Sequence, residues 1–377
     1  MLINKKFCTG CGACFNICPQ KAIQMKLHTD GFLYPEINLE LCINCGLCKK
    51  VCPLENLKIR KSKKTAYAVI HKDEEIRSKS SSGGAFSALA EKVIDEGGVC
   101  FGAALVKNNF VRHISCENKE DLGKLRGSKY VQSEISDAYI SAKTELETGR
   151  KVLFSGTPCQ IAGLKQYLNK EYENLLTVDF ICHGVPSNAL WQSYVKYKEK
   201  LNDSKVTAAF FRDKSYGWKN FSMKIEFESG DSKIERVHED LYLKSFLSNI
   251  FLRPSCYNCR FKADNYLSDI TLADFWGINK INPAINDDKG LSLVVANTAK
   301  ADEQLKNVFH VLKSYSINFE SCVVGNPSYS KSVSKTLLNS PALKDSVRMD
   351  FLKLYKKYCG MTLWNKIKRK LASKLAQ

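Results

Sequence analysis

Eight of the sixteen cysteines lie between Cys8 and Cys52, in two copies of one motif. The copies, CTGCGACFNICP and CINCGLCKKVCP, both have the spacing C-x2-C-x2-C-x3-C-P. With this spacing, three cysteines bind one cubane 4Fe-4S cluster and the fourth binds the neighbouring cluster. We therefore predict two centres for one-electron transfer. Their expected ligands are Cys8, Cys11, Cys14 and Cys52 for one cluster, and Cys42, Cys45, Cys48 and Cys18 for the other.

A pair of zinc sites is the alternative interpretation of these cysteines. Zinc takes four ligands per site, usually as two separated pairs of residues. The doubled four-cysteine motif fits two clusters better. From Cys8 to Pro53 the segment also resembles bacterial two-cluster ferredoxins, with all eight ligand positions filled.

Two further cysteines are predicted to meet at one edge of a sheet. Lys151–Phe154 is a short apolar strand, and the following segment TPCQIAGLKQYL is typical of a helix with Thr157 as its N-cap. A second apolar strand, Leu175–Ile181, comes next. Strand, helix and strand at this spacing predict a βαβ unit with parallel strands, and ligands collect at the carboxyl ends of such strands. Cys159 and Cys182 both lie at those ends.

Together with the C-x-x-C pair Cys256 and Cys259, these cysteines make four candidate thiolate ligands outside the ferredoxin-like segment. Four thiolates are what a third cubane cluster needs. Two alternatives remain open at this point: Cys159 is a reactive thiolate at a helix N-terminus, or Cys159 and Cys182 are small buried residues. We interpret the remaining cysteines as structural, namely Cys100, Cys116, Cys322 and Cys359.

Two segments are candidates for holding phosphate. Ser80–Gly84 precedes the amphipathic helix AFSALAEKVIDEGG, and hydroxyls with glycines at a helix start suit a pyrophosphate. An ordinary N-cap is the alternative. Arg126–Gln132 places two cations next to a glycine. This segment is either a solvated loop or a source of positive charge for a phosphate or a reduced flavin.

A resemblance to one family rests on six motifs in order: SSGGAFSAL, GSKYVQS, SGTPCQIAGL, DFICHGVPS, RPSCYNCRF and ITLADFWGI. From Ala66 to Ile278 the chain resembles the beta subunits of coenzyme F-420 hydrogenases and dehydrogenases, in which a ferredoxin segment is a common companion. The resemblance implies a third 4Fe-4S cluster on Cys159, Cys182, Cys256 and Cys259. It also implies FAD, with contacts expected at Ser82, Gly83, Gly84, Lys129, Tyr130, Gly156 and Thr157.

The fold class that these elements predict is α+β or α/β. The composition of the 377 residues, 44% hydrophobic and 25% charged, excludes wholesale disorder and fibrous repeats. We predict a small two-cluster ferredoxin domain at residues 1–57 and a basic linker at 58–64. A larger mixed α/β flavin-binding domain with parallel βαβ units follows at 65–330. A basic helical region completes the chain at 331–377.

The net charge of +18 is typical of proteins that bind an anionic partner, such as nucleic acid or a membrane surface. No recognition motif accompanies the charge, so nucleic acid is not expected. No apolar run is long enough to span a membrane, and the start MLINKKFCTGC lacks the apolar core of a signal peptide, so we expect a cytoplasmic location. The predicted basic amphipathic helix at 363–375 suits peripheral contact with a membrane or with an acidic partner. Packing of this helix on the domain is the alternative.

Three functional hypotheses follow. The first is an iron–sulfur flavoenzyme that passes electrons between the ferredoxin clusters, the third cluster and FAD, to or from a two-electron substrate such as coenzyme F-420 or another small molecule. A redox partner protein or reduced ferredoxin would exchange electrons with it. The second is an electron-relay subunit without its own substrate site, serving a partner enzyme, for example in cell-surface polysaccharide biosynthesis. The third is a ferredoxin segment acting alone. His183 is the candidate acid–base residue, or else a structural histidine.

Overall fold

A computed structural model describes residues 3–56 and 63–360 of the chain. The ferredoxin-like segment is built from two short helices and an antiparallel hairpin. Their bounds are α1 (Ala13–Ile17), β1 (Ile23–Leu27), β2 (Leu33–Ile37) and α2 (Leu47–Lys50). Each helix follows a glycine with positive φ, Gly12 at 75° and Gly46 at 74°. Glycine adopts this conformation without the cost that a Cβ imposes, so the chain turns sharply between cysteines of each motif.

Eleven more strands form two sheets in the described part of the chain. Their bounds are β3 (Thr65–His71), β4 (Val99–Leu105), β5 (Val111–Cys116), β6 (Val152–Ser155), β7 (Leu175–Phe180), β8 (Val206–Asp213), β9 (Ser222–Phe227), β10 (Ser232–Arg236), β11 (Ile270–Asp274), β12 (Ser292–Ala296) and β13 (Leu312–Ile317). The larger sheet has the order β13-β3-β12-β11-β7-β6-β4-β5, and the smaller one the order β10-β9-β8.

The centre of the large sheet is parallel, since β4, β6, β7 and β11 run in one direction. The flanking strands are antiparallel to their neighbours. The predicted βαβ unit is present, because β6 and β7 pair in parallel with Val152 opposite Leu175. The predicted fold class is confirmed: a small ferredoxin-type domain precedes a larger mixed α/β region.

The helices of the larger region cover the sheets. Their bounds are α3 (Glu74–Lys79), α4 (Ala85–Asp95), α5 (Leu122–Leu125), α6 (Ala138–Glu147), α7 (Pro158–Leu168), α8 (Asn188–Asn202), α9 (Leu241–Leu247), α10 (Ala299–Lys306), α11 (Phe319–Cys322), α12 (Asn339–Ser346) and α13 (Phe351–Tyr358). Helix α7 begins as predicted: Thr157 is the N-cap, Pro158 follows, and Gln160 completes a capping box. This box satisfies backbone N–H groups that the helix leaves free and fixes where Cys159 lies.

The ferredoxin-like segment shares a hydrophobic core with the large sheet. Cys11, Ala13 and Val51 pack with residues of α6 and α7, including Tyr139 and Leu164. At the other end of the chain, Phe351 and Leu354 of α13 join the core around α8. The predicted basic helix at 363–375 and residues 58–62 of the predicted linker lie outside the described residues. No described helix combines the length and the apolar character needed to cross a membrane.

Candidate functional site

The eight cysteines of the ferredoxin-like segment surround two cavities. One cavity, of 190 Å³, is lined by Cys18, Cys42, Cys45 and Cys48. The other, of 30 Å³, is lined by Cys8, Cys11, Cys14 and Cys52, with Cys48 also at its wall. The fourth cysteine of each motif therefore lies with the first three of the other motif, which is the crossed arrangement that the spacing predicts. We call the first group the outer cysteines, since Cys45 is exposed, and the second group the inner cysteines.

The surroundings of these thiols suit the binding of a positively charged iron–sulfur core. Burial and the neighbouring Cys8 and Cys52 raise the pKa of Cys14 to about 12. Hydrogen bonds from backbone N–H groups lower the pKa of these thiols. At Cys52, burial raises the pKa, and the N–H groups of Leu54 and Glu55 lower it. Thiols that are buried side by side bind as thiolates only when a metal centre compensates their charge. In the described ranges no three His, Cys, Asp or Glu residues are arranged around a single ion, and a cubane needs wider spacing than one ion.

Four of the eight cysteines outside the ferredoxin-like segment also come together. Cys159 is the second residue of α7, Cys182 follows β7, and Cys256 and Cys259 lie in and after the short 3-10 helix Pro254–Asn258. Burial, together with the charges of Cys259 and Cys182, raises the pKa of Cys159 to about 12. Burial also raises the pKa of Cys182, with further contributions from Cys256 and Cys259. We call this set the third cysteine group.

The inner cysteines lie against the helix that carries Cys159. A Cβ added at Gly163 would lie 3.1 Å from the Cys11 Sγ and 2.9 Å from the Tyr139 hydroxyl oxygen. The Tyr139 hydroxyl donates to the carbonyl oxygens of Cys11 and Gln160, so it ties the inner cysteines to α7. The charge of Cys159 contributes to the raised pKa of Cys11 after burial and Cys14. Gly163 is thus required for the close approach of the two groups.

A cavity of 460 Å³ lies at the carboxyl ends of the parallel strands. Its volume is typical of sites for small molecules and cofactors. Of the predicted flavin residues, those that line it are Ser82, Gly84, Lys129, Tyr130, Gly156 and Thr157. Gly83 lies behind the wall, where its N–H donates to the Ser292 Oγ over 2.8 Å. A larger groove of 1480 Å³ beside the ferredoxin-like segment contains none of these residues.

One end of the cavity is suited to phosphate. Ser81 and Ser128 meet there, since the Ser128 N–H donates to the Ser81 Oγ over 2.7 Å. The Lys129 ammonium donates to the carbonyl oxygens of Lys124 and Arg126 over 2.8 and 2.9 Å. Burial lowers the pKa of Lys129 to about 7. Gly84, not a serine, is the N-cap of α4, with φ of 92°.

The other end of the cavity is aromatic and reaches the third cysteine group. Cys182 and His183 both line it. The His183 ring packs edge-on against Phe246, and its Nε2 lies 2.6 Å from the Asn249 Oδ1. Burial lowers the pKa of His183, which favours the neutral ring. The ring of Tyr130 stacks on Phe246 with centroids 4.5 Å apart. Aromatic rings therefore line this part of the cavity, next to the Arg212 guanidinium.

Two arginines of the site, Arg212 and Arg253, were not predicted from the sequence. Arg212 lines the cavity with its guanidinium 3.9 Å from the centre of the Phe221 ring and 3.0 Å from the Asp274 carboxylate. Arg253 is buried between the inner cysteines and the third cysteine group. Neither has a local sequence signal, because their partners are distant in the chain. For Arg253, its position at the start of the motif RPSCYNCRF is the sequence feature that could have pointed to a role in the site.

Comparison with known families agrees with this architecture. The two parts of one subunit, described as coenzyme F420 hydrogenase/dehydrogenase, beta subunit N-term and C terminus, match residues 66–139 and 149–313. Together they cover more than half of the chain. The chain belongs to this family. A 4Fe-4S dicluster domain matches residues 7–56 ahead of these two parts. The predicted family and the predicted pair of 4Fe-4S clusters are thereby confirmed.

The other comparisons add little to the family assignment. No curated protein matches the chain. Among solved structures, a chain of the F420-reducing [NiFe] hydrogenase complex from Methanosarcina barkeri is similar, with 18% sequence identity and a TM-score of 0.47. The alignment covers 79% of this chain and 93% of that one. As a member of its family, the protein is an iron–sulfur electron-transfer subunit of the oxidoreductase type.

Proposed function

We propose that this family member is an iron–sulfur flavoprotein that passes electrons between its ferredoxin-type clusters, a third 4Fe-4S cluster and FAD, to or from a two-electron substrate. The observation that carries this proposal is the position of Cys182. It interacts electrostatically with Cys256 and Cys259, and it also lines the 460 Å³ cavity. A cluster on the third cysteine group would therefore border the space proposed for the flavin.

The order of the three cysteine groups supports the same proposal. The charge of Cys48, an outer cysteine, acts on the pKa of Cys14, an inner cysteine, after burial, Cys8 and Cys52. Cys11, another inner cysteine, interacts with Cys159 of the third group. The groups thus form a row from the exposed Cys45 to the cavity. Clusters would supply one-electron transfer along such a row, and FAD would link it to two-electron chemistry.

The residues of the chain have distinct tasks in this proposal. Ser81, Ser128 and Lys129 would hold the phosphates of FAD at one end of the cavity. The stacked pair Tyr130 and Phe246 would contact a flat ring from one side of the cavity. The two-electron substrate would be a coenzyme F-420-like molecule or another small molecule.

Composition and turnover of the anaerobically purified full chain test this proposal. We expect about twelve irons per chain, from three cubanes, together with one FAD. With dithionite as donor, the flavin absorbance should bleach, and a small-molecule acceptor should then turn over without a protein partner. Transfer of electrons only to another protein would favour the relay subunit instead. Protein that lacks flavin after reconstitution with FAD would contradict the proposal.

The pKa of Lys129 predicts how FAD binding depends on pH. Because the pKa of Lys129 is about 7 before an anion binds, the ammonium is charged below pH 7 and loses its proton above it. A phosphate favours the charged form, so the affinity for FAD should fall by up to about tenfold per pH unit above pH 7. Fluorescence titration of the deflavinated chain between pH 6 and 9 measures this dependence.

Two variants show whether Lys129 is the group that titrates. Lys129→Met should bind FAD more weakly at pH 6 and should have lost the pH dependence. Lys124→Met is the matched control, because the Lys124 side chain pairs with Asp121 on the surface and only its carbonyl oxygen contacts Lys129. A pH dependence that persists in Lys129→Met would assign it to another group.

A further inference from the structure

Arg253 is a buried cation between two of the cysteine groups, with 1% of its surface exposed. Its Nε donates to the carbonyl oxygen of Cys8 over 2.8 Å, and its Nη2 lies 3.9 Å from the Cys8 Sγ. Nη2 also donates to the carbonyl oxygen of Leu33, and Nη1 donates to the Gln132 Oε1 over 2.7 Å. Every nitrogen of the guanidinium is thus engaged with a neutral acceptor or a cysteine sulfur.

No carboxylate among residues 3–56 and 63–360 forms an ion pair with Arg253. The faces of its guanidinium lie instead 4.4 Å from the centre of the Tyr34 ring and 5.0 Å from that of Phe32. A buried charge without a counter-charge is costly, so buried charges in proteins are paired or bind metal centres. Asp30 accepts a hydrogen bond from the Tyr34 hydroxyl but forms no ion pair with the guanidinium, so a closer negative charge is needed to balance Arg253.

The cysteines on both sides of Arg253 supply that charge when they are thiolates. On one side the guanidinium contacts Cys8 of the inner cysteines. On the other side the Cys256 N–H donates to the Arg253 carbonyl oxygen over 2.9 Å, so the arginine directly adjoins the third cysteine group. Its positive charge lowers the pKa of Cys159 and Cys256, against the larger effects of burial and of neighbouring thiolates. A cubane with four thiolates carries a net negative charge, and reduction makes it more negative by one. A fixed cation nearby stabilises the reduced state and raises the reduction potential.

We infer that Arg253 is the shared counter-charge of the inner cluster and the third cluster and raises the reduction potentials of both. This inference rests on the proposed function, because it requires clusters at both cysteine groups. The outer cluster should be affected much less, since none of the hydrogen bonds that Arg253 forms with described residues reaches an outer cysteine. One side chain would thus set the energy of two consecutive centres together.

The backbone leaves room for this arginine at one point. Gly10, between Cys8 and Cys11, has φ of 67°, and a Cβ there would lie 2.8 Å from the Arg253 Nη1. Any other residue would displace the guanidinium from the Cys8 carbonyl oxygen. Arg253 therefore also joins the ferredoxin-like segment to the larger region, and its charge-neutral variants need a separate check of folding.

The test is a potentiometric titration of the anaerobically reconstituted full chain, followed by electron paramagnetic resonance. In Arg253→Gln, two of the three midpoint potentials should fall while one stays in place. We expect at least a tenfold loss in the equilibrium constant for one-electron reduction, which is about 59 mV. Arg253→Lys should keep the potentials near those of the unmodified chain, because it keeps the charge.

Arg260→Gln is the matched control. Arg260 follows Cys259 and donates to the carbonyl oxygen of Leu54 over 2.7 Å, but it is exposed, so water screens its charge. Its removal should shift the potentials much less. Three unchanged potentials in an Arg253→Gln protein with full iron content would overturn the inference.

The second variant, Arg253→Lys, keeps the inference testable if Arg253→Gln fails to fold. If Arg253→Gln does not retain its clusters, Arg253→Lys decides: potentials that drop there would show that hydrogen bonding, not charge, is responsible. The proposed function is judged beforehand on the unmodified chain. An iron content of about eight there would remove the third cluster, whereas Arg253 would still be tested on the inner cluster alone.

Discussion

Replacing Cys256 with serine should lower the iron content from about twelve to about eight per chain. Cys256 belongs to the third cysteine group, where burial together with the charges of Cys259 and Cys159 raises its pKa to about 12. Serine is a poor ligand for iron in such a cluster, because its hydroxyl does not deprotonate as a thiol does. The eight cysteines of the ferredoxin-like segment do not involve this position. Iron and acid-labile sulfide in anaerobically purified protein give the result.

The same variant separates the third cluster from the flavin. Because Cys256 does not line the 460 Å³ cavity, FAD should remain bound, while its reduction by dithionite through the clusters should slow by more than tenfold. Cys322→Ser is the matched control: Cys322 is buried and donates to the carbonyl oxygen of Phe319, away from the three groups, so iron should stay at about twelve. Unchanged iron in Cys256→Ser would remove Cys256 from the proposed ligands.

The parts of the site that the sequence predicts are those with short-range signals. The spacing of the motif predicts that Cys52 joins the first three cysteines of the first copy and that Cys18 joins those of the second copy. The structure has the same grouping. The N-cap at Thr157 and the parallel pairing of β6 with β7 also depend on neighbouring residues. These elements place Cys159 and Cys182 at one sheet edge, which is why two distant cysteines could be associated before the fold was known.

The parts that could not be predicted depend on contacts across the chain. Arg253 bonds to Cys8, 245 residues away, and nothing near either residue indicates the other. Arg212 lies in β8 of the smaller sheet and meets Asp274 in β11 of the larger one. The antiparallel flank made by β12, β3 and β13 is likewise non-local, since β3 pairs with strands more than two hundred residues later. Periodicity and spacing carry no information about such pairings.

Gly83 shows how a local pattern can have a second cause. The run of serines and glycines before α4 suggests a phosphate site, and its neighbours Ser82 and Gly84 do line the cavity. Gly83 itself lies between β3 and β12, where a Cβ would be 2.2 Å from the Val69 carbonyl oxygen and 2.6 Å from the Ser292 nitrogen. Both are backbone atoms of paired strands. Glycine is therefore required at this position because a Cβ would have no room, independently of any ligand that binds nearby.

Gly83→Ala should accordingly destabilise the fold strongly. Because the two clashing atoms belong to the sheet, the strain cannot be relieved by rotating a side chain, and we expect a loss of about 3 kcal/mol. For a region of this size the thermal midpoint should fall by about 6 °C or more. Circular dichroism of the anaerobic holoprotein measures the midpoint.

Gly123→Ala is the matched comparison for a glycine with open space around it. Gly123 lies in α5, and a Cβ there meets nothing within 4 Å. Alanine favours a helix by about 1 kcal/mol over glycine, so the midpoint should stay or rise slightly. If Gly83→Ala melts as late as Gly123→Ala, the strands β3 and β12 do not enclose position 83 as tightly as described. If it keeps its stability yet binds FAD more weakly, the glycine serves the cofactor, as the sequence pattern had suggested.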